Sequence, residues 1–462
     1  MTQTVQIAEK TQMPATWRGE MSGLLRLGVP MGATQLAQFA VFTIDVVMIG
    51  RLGAVDLAAA SLGAVFFFGL WMLGAGPVMA VAPLISQALG ANKHDRHDAR
   101  ITVRMTLWLL AMMTPFVIAL CVFAEPLSLA LGQDAEVARR GAKYAFILAL
   151  CWPFSLAVTA LRNFLAAIGK TAIPFVLVMM GTLMNGLLNY VFIFGHFGAP
   201  RLELVGAGIA SLIATLINLL MFIAYIRMDK HAREFDVFER FWNPHWDRLK
   251  EIFRLGWPIS ITTFFEGMLF NSAVFIVGII GVAEQAAYNI GLNVASLAFM
   301  FPFGLSMAGS VRMGLAVGAG NRGAMKRVSV TTILACIVGI GFAAIPIALF
   351  PDMVSGLYLD TSKPDSAQVV ALVATFLPIA AGFMLFDSVQ VAANQLLRGL
   401  KDVRWPMALT GFSYWMVGFP VAYWLGLHTD FGARGVWYGL LAGLSTASVL
   451  LGYRLWRLVW RA

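Results

Sequence analysis

The chain has 462 residues, of which 59% are hydrophobic and 12% charged, with a net charge of +9 and three cysteines. A soluble domain is ordinarily about 45–50% apolar and about 25% charged, so a soluble globular protein, a disordered chain, a coiled coil and a disulfide scaffold are all excluded. The solvent for most of this chain is lipid. Its basic residues are dispersed between apolar stretches rather than gathered on one face, which excludes a nucleic-acid partner.

Taken in chain order, residues 1–23 are polar, mixed in charge and without an apolar core before Leu24, so they read as a cytoplasmic N-terminal segment and not a cleaved signal peptide. Twelve apolar stretches follow, each long enough to cross a bilayer as a helix: 24–50, 58–88, 101–124, 141–166, 171–195, 204–226, 253–280, 286–316, 328–350, 368–398, 404–427 and 435–459. These long continuous runs rule out the short alternating strands of a barrel. The three cysteines (Cys121, Cys151, Cys336) lie within apolar stretches and are not expected to pair.

Cytoplasmic loops retain Lys and Arg. With the N-terminus inside, only Arg51, Arg139, Arg140, Lys143, Arg201, Lys363 and Arg434 fall outside, out of 33 basic residues. Both termini are therefore expected in the cytoplasm.

Arg26-Leu-Gly-Val-Pro30 returns as Arg254-Leu-Gly-Trp-Pro258, and at the same offset Gly90-Ala91 falls on Gly318-Ala319. Gly50, Gly53 and Gly63 likewise fall on Gly278, Gly281 and Gly291. A shared offset over that length is an internal duplication. Six helices per copy makes the repeats parallel, an architecture used by transporters with a central cavity. The expected fold is an all-α membrane protein, twelve transmembrane helices in two pseudo-twofold-related six-helix lobes. Residues 24–226 form the first lobe, 227–252 a charged cytoplasmic linker, and 253–462 the second lobe.

Several motifs lead nowhere. Gly318-Ala-Gly-Asn-Arg-Gly323 fits G-x-G-x-x-G but follows a membrane helix rather than a strand, and Gly169-Lys170-Thr171 lacks the first glycine of a P-loop. The six histidines lie in loops or at span ends, without H-E-x-x-H, so neither haem nor zinc chemistry has its ligands. His94-Asp-Arg-His97-Asp98 reads as a solvated turn rather than a metal site. No cofactor is expected, and a membrane-embedded enzyme finds no catalytic motif.

Three acids fall inside spans: Asp45, Glu266 and Asp387. An ionised carboxylate at that depth costs several kcal/mol unless compensated, and no Lys or Arg is placed deep enough to pair with them. Each is then protonated or holds a bound cation, and a site that fills and empties with H⁺ or Na⁺ couples to a gradient. Positions three, four and seven apart share a helix face. Gln35 and Gln38 accompany Asp45, and Thr182, Asn185 and Asn189 align on the fifth span. Thr262 and Thr263 accompany Glu266, Asn289, Asn293 and Ser296 align on the eighth span, and Gln390 and Asn394 follow Asp387, with Arg398 one turn further at the inner end. Such stripes line a cavity or hold helices together. At Glu266 and Asp387 the oxygen-rich surroundings suit a hard cation, Na⁺ if the chain is sodium-coupled.

These residues give the chain a familiar outline. Asp45-Val-Val-Met-Ile-Gly50, Gln87-Ala-Leu-Gly-Ala91, Leu187-Leu-Asn-Tyr-Val-Phe-Ile-Phe-Gly195, Phe265-Glu266, Ser310-Val-Arg-Met-Gly314, Phe386-Asp387 and Leu397-Arg-Gly399 resemble the MATE (multidrug and toxic compound extrusion) family, NorM-like branch, over nearly the whole length. The resemblance implies a V-shaped pair of six-helix lobes and export of cationic, amphipathic compounds against inward Na⁺ or H⁺. It also implies that Glu266 and Asp387 match the second-lobe cation site of the branch, and Asp45 its first-lobe acid. The sequence departs at Phe383 and Met384, where members often carry Tyr and Gln; this removes a hydroxyl and an amide from Na⁺ coordination. The expected partners are small-molecule organic cations and the bilayer, for a monomer. A lipid-linked precursor flippase of the same superfamily is the alternative, and it would need basic cavity residues for phosphate. A channel is disfavoured by the two-lobe repeat.

Overall fold

The computed structural model describes residues 14–92, 96–358 and 367–461, so residues 1–13 of the N-terminal segment and His94 of the histidine turn lie outside it. Among the described residues, eleven helices are long and apolar enough to cross a membrane: α1 (Trp17–Gly50), α2 (Ala54–Ala91), α3 (Arg96–Ala130), α4 (Ala135–Ala167), α5 (Ala172–Phe194), α6 (Glu203–Met228), α7 (Trp246–Ile280), α8 (Val282–Gly318), α9 (Arg322–Leu349), α10 (Ala367–Gly399) and α12 (Ala433–Arg461). Between α10 and α12, the expected span 404–427 is helical in three pieces and forms α11: Arg404–Phe412, a π-helical turn Ser413–Gly418, and Phe419–Leu427. No strand occurs among the described residues. All three cysteines are buried and free.

Most helices start earlier than hydropathy alone places them, and two of them, the first helix of each repeat, by the most. Helix α1 begins at Trp17 and α7 at Trp246, each with an acid in its first turn, Glu20 and Asp247, where the helix dipole favours negative charge. Helix α2 breaks at Ala80, between Pro77 and Pro83, because a proline removes a backbone donor and crowds the preceding turn.

The chain divides into two compact units, residues 34–260 and residues 1–33 with 261–462. Each repeat therefore gives the entrance half of its first helix to the unit made mainly by the other repeat. Within the second of these units, a Cβ at Gly28 would lie 2.7 Å from Leu305, and one at Gly304 would collide with Gly32. Within residues 34–260, a Cβ at Gly256 would lie 2.5 Å from Pro77, and one at Gly76 would collide with the Gly256 carbonyl and lie 2.6 Å from Ser260. These contacts are the same pairs shifted by the repeat offset. The glycines permit backbone-to-backbone packing of the kind small residues give membrane helices.

The interior of residues 34–260 is built where α2 meets α4. Trp152 Nε1 donates to the Leu70 carbonyl at 2.9 Å, and Asn163 Nδ2 donates to the Val78 carbonyl at 2.9 Å. In the other unit, α8, α10 and α12 enclose Tyr288, Phe376, Phe383 and Trp437. The Phe383 ring stands edge-on to Trp437 at 5.5 Å, a geometry that aligns ring edges with the π face.

Candidate functional site

Two polar clusters interrupt these apolar interiors, one in each unit. In residues 34–260, Asn189 Nδ2 on α5 donates to Asp45 Oδ1 at 2.5 Å and to Asn185 Oδ1 at 3.2 Å. Asn185 Nδ2 continues the chain to Ser211 Oγ on α6 at 3.3 Å. Asn185 and Asn189 are buried and Asp45 half-buried. The charge of Asp45 also acts on Tyr144 and Cys151 of α4. Thr182 belongs to the same α5 face but turns its hydroxyl onto the Val178 carbonyl of its own helix. Ser211 and Tyr144 are members of this cluster that periodicity within single helices does not reveal, because they come from α6 and α4.

On the same unit, Gln35 and Gln38 are half-buried. Gln38 Oε1 accepts from Arg162 at 2.6 Å. Arg162, which loop counting places at a span end, is thus bound to a polar position of α1.

The second cluster joins α7, α10 and α11. Asp387 is buried and its Oδ1 has no hydrogen-bond partner among the described residues; the same holds for both polar atoms of Gln390, for Ser388 Oγ and for the Tyr414 hydroxyl. Asn394 is buried on the same α10 face. Glu266 on α7 is half-buried, and its charge acts on those of both Asp387 and Arg398. The Tyr414 hydroxyl feels both carboxylates. It comes from the π-helical turn of α11, a distortion often found at functional positions. Helix α11 approaches α7 closely there: a Cβ at Gly411 would lie 2.8 Å from the Phe265 ring beside Glu266.

The expectation that no basic side chain lies within reach of the intramembrane acids needs correction. Arg398 is only 7% exposed and faces Glu266 electrostatically. A position near the inner end of a span reads as interfacial from sequence, but packing among α10's neighbours buries it. The loss of a hydroxyl at Phe383 is a second point where the fold adds something. Phe383 and Met384 belong to the apolar core, while Tyr414 supplies a phenol from another helix.

The structure does not bring every polar candidate together. Asn289 and Asn293 on α8 are exposed, and Asn293 Oδ1 accepts from the Tyr358 hydroxyl at 2.9 Å. Ser296 is half-buried, and Thr262 is buried with Thr263 half-buried. No group of three or more His, Cys, Asp or Glu side chains able to hold a metal occurs among the described residues. Any ion held at Glu266 and Asp387 would therefore draw its remaining ligands from neutral oxygens, and Tyr414, Gln390 and Ser388 are the unpartnered ones.

Comparison with known proteins places these features in a family. Residues 30–191 and 258–424 match MatE. The "Probable multidrug resistance protein NorM" of Rhizobium meliloti (strain 1021) is 40% identical over 453 residues, covering 97% of this chain and 96% of the relative. A "Multidrug resistance protein NorM" from Burkholderia vietnamiensis is 35% identical, covering 93% and 92%. Among solved structures, the "Crystal structure of MATE in complex with MaL6" superposes with a TM-score of 0.86 at 21% identity, covering 96% of this chain and 98% of that one. The family matched twice along the chain, once in each repeat, and relatives aligned almost end to end make this chain a member of the MatE family, in its NorM-like branch.

Proposed function

We propose that this chain is a secondary active multidrug efflux transporter, not an enzyme, that exports cationic amphipathic compounds in exchange for inward Na⁺ or H⁺. It acts as a monomer in the bacterial inner membrane with both termini in the cytoplasm. The names of its relatives support the export of drugs. The observation that carries the coupling is the set of Glu266, half-buried, with Asp387 and Arg398, both buried.

Two carboxylates and one guanidinium in apolar surroundings leave the set one positive charge short of neutrality. A net buried charge is costly, so the set is completed by one small cation, H⁺ or Na⁺. Binding from the side of higher electrochemical potential and release on the other makes the exchange. Asp387, whose Oδ1 has no partner among the described residues, offers the oxygen to receive that cation, with Gln390 on its own helix face and the Tyr414 hydroxyl within reach of its charge. Arg398 offsets Glu266, so that one cation rather than two completes the balance. Asp45, held by Asn189, offers a second anionic point that favours positively charged substrates.

The flippase alternative requires basic groups available to a phosphate. Arg162 donates to Gln38 and Arg398 faces Glu266, so neither supports it. The test is dye transport into everted vesicles under Na⁺ and H⁺ gradients imposed separately. Ethidium-like and acriflavine-like cations are expected to be carried by one gradient, while anionic dyes of similar size stay out. Equal transport of both dye classes contradicts this reading.

A further inference from the structure

The end of α12 and the beginning of α9 carry a constellation that the transport site does not use. The final turn of α12 (Arg457–Arg461) is π-helical. A wider turn stacks residues five apart instead of four, and Arg461 accordingly lies over the ring of Trp456 at 4.7 Å. Lys326, in the first turns of α9, lies over the ring of Trp460 at 6.0 Å. Leu455 and Val459 pack into an apolar cluster with Val328 and Met325 of α9, which fixes the opposite side of the turn. Trp456 and Trp460 stay 39% and 38% exposed, and Arg457 and Arg461 are exposed beside them.

Lys326, Arg457 and Arg461 make no ion pair with a carboxylate among the described residues, whereas Arg454, one turn earlier, is neutralised by Asp402 at 2.8 Å. Three unneutralised cations stand beside two half-exposed indoles, where two membrane helices end. Indoles at that level sit among lipid headgroups, and cations beside them attract anionic lipid. We propose that Lys326, Arg457, Arg461, Trp456 and Trp460 form a binding site for the phosphate of an anionic phospholipid headgroup, with the indoles contacting the glycerol and upper acyl region. The phosphate receives charge-assisted hydrogen bonds from two guanidinium groups and one ammonium. The rings of Trp460 and Trp456 already place two of these cations, Lys326 and Arg461, so less side-chain entropy is lost when the lipid binds.

The test uses the purified, delipidated full chain, titrated with phosphatidylglycerol or with phosphatidylcholine and followed by native mass spectrometry. Phosphatidylglycerol is expected to bind with a tight first site and phosphatidylcholine without one. Each of Lys326→Gln, Arg457→Gln and Arg461→Gln should weaken that first site about fivefold, and the triple variant should lose it. Trp456→Leu with Trp460→Leu keeps all three charges and is expected to weaken phosphatidylglycerol binding without abolishing it. Should the triple variant fail to fold, the single variants carry the same comparison. Unchanged phosphatidylglycerol affinity in the variants overturns the site, as does equal binding of both lipids by the unmodified chain. Displacement of the bound lipid by inorganic phosphate at ordinary buffer concentration would show a free-anion site and overturn the lipid reading.

Discussion

A carboxylate in an apolar helix is visible in a sequence because water is the only cheap partner for it, and a membrane span excludes water. Asp45, Glu266 and Asp387 are legible on that ground alone. What surrounds them is less so. Asn185 and Asn189 share the face predicted from their spacing, and they do form a chain to Asp45. The burial of Arg398 is not legible, because distance from the end of an apolar run is not depth; the packing of other helices decides it. Tyr414 is invisible in advance, since no residue pattern announces the π turn that carries it. The Asp45 chain gives a direct test. Replacing Asn189 with Ala removes the amide that donates to the carboxylate and takes from Asn185 Oδ1 its donor, while Asn185 keeps Ser211. A hydrogen bond to a charged group contributes about 1.5–3 kcal/mol. Asn189→Ala is therefore expected to lower the unfolding midpoint in detergent and to impair efflux, while Asn189→Asp, which sets two carboxylates together, impairs it more. Equal efflux in the unmodified chain and Asn189→Ala would dissociate this chain of amides from transport.

At the scale of elements, the segment between α6 and α7 reads from composition as a charged linker, and the fold gives it fixed anchors. Arg104 of α3, 2% exposed, donates to the Arg240 carbonyl at 2.7 Å and meets His245 Nδ1 at 2.8 Å. Trp108 Nε1 donates to the Phe241 carbonyl at 3.0 Å, and Arg96 pairs with Glu234 at 2.6 Å. Composition shows charge but not partners 130 or more residues apart, which is why this attachment was not legible. Arg104→Met keeps the length and leaves the part-buried Arg240 carbonyl and His245 without their donor, a loss of about 1–2 kcal/mol. The expected sign is protease cleavage within 234–246 in the variant under conditions that leave the parent intact. A cut rate equal to the parent's would mean the segment is held without Arg104.

The same segment begins with Asp229, whose contribution to stability depends on pH in a defined direction. Its burial disfavours the charge, but Lys170 at 2.8 Å, the Ala232 amide and the Tyr225 hydroxyl outweigh it and hold the carboxyl below its ordinary value. A depressed carboxyl contributes stability that is present above its unfolded value, about pH 4, and is lost as pH falls through the folded value. Lys170→Met should therefore lower thermal stability at neutral pH and flatten its decline in acid. A variant whose acid profile parallels the parent's would remove Lys170 from that balance.

At the scale of the molecule, the duplication was the most informative feature of the sequence. The matched Arg-Leu-Gly-x-Pro segments mark where each first helix crosses into the other repeat's unit, with Gly28 on Leu305 answered by Gly256 on Pro77. Only Gly fits where a Cβ would meet a facing backbone, so Gly76→Val and Gly304→Val are both expected to misfold or lose most of their stability, overpacking by several methyl groups at once. The orientation is tested by single cysteines placed within 230–245: the charge distribution puts their labelling on the cytoplasmic side, and periplasmic labelling would overturn both the orientation and the parallel repeat.

The central claim is that Glu266 and Asp387 carry the coupling ion. Glutamine and asparagine preserve their shape and can still donate and accept hydrogen bonds, but they neither titrate nor supply the charge that offsets a bound cation. The most direct measurement is gradient-driven efflux of a cationic dye by purified Glu266→Gln and Asp387→Asn in proteoliposomes, beside the unmodified chain at matched incorporation. Both variants are expected to fold, to retain equilibrium dye binding and to lose transport driven by the gradient. Efflux at the unmodified rate in both would contradict the assignment of the coupling ion to this pair.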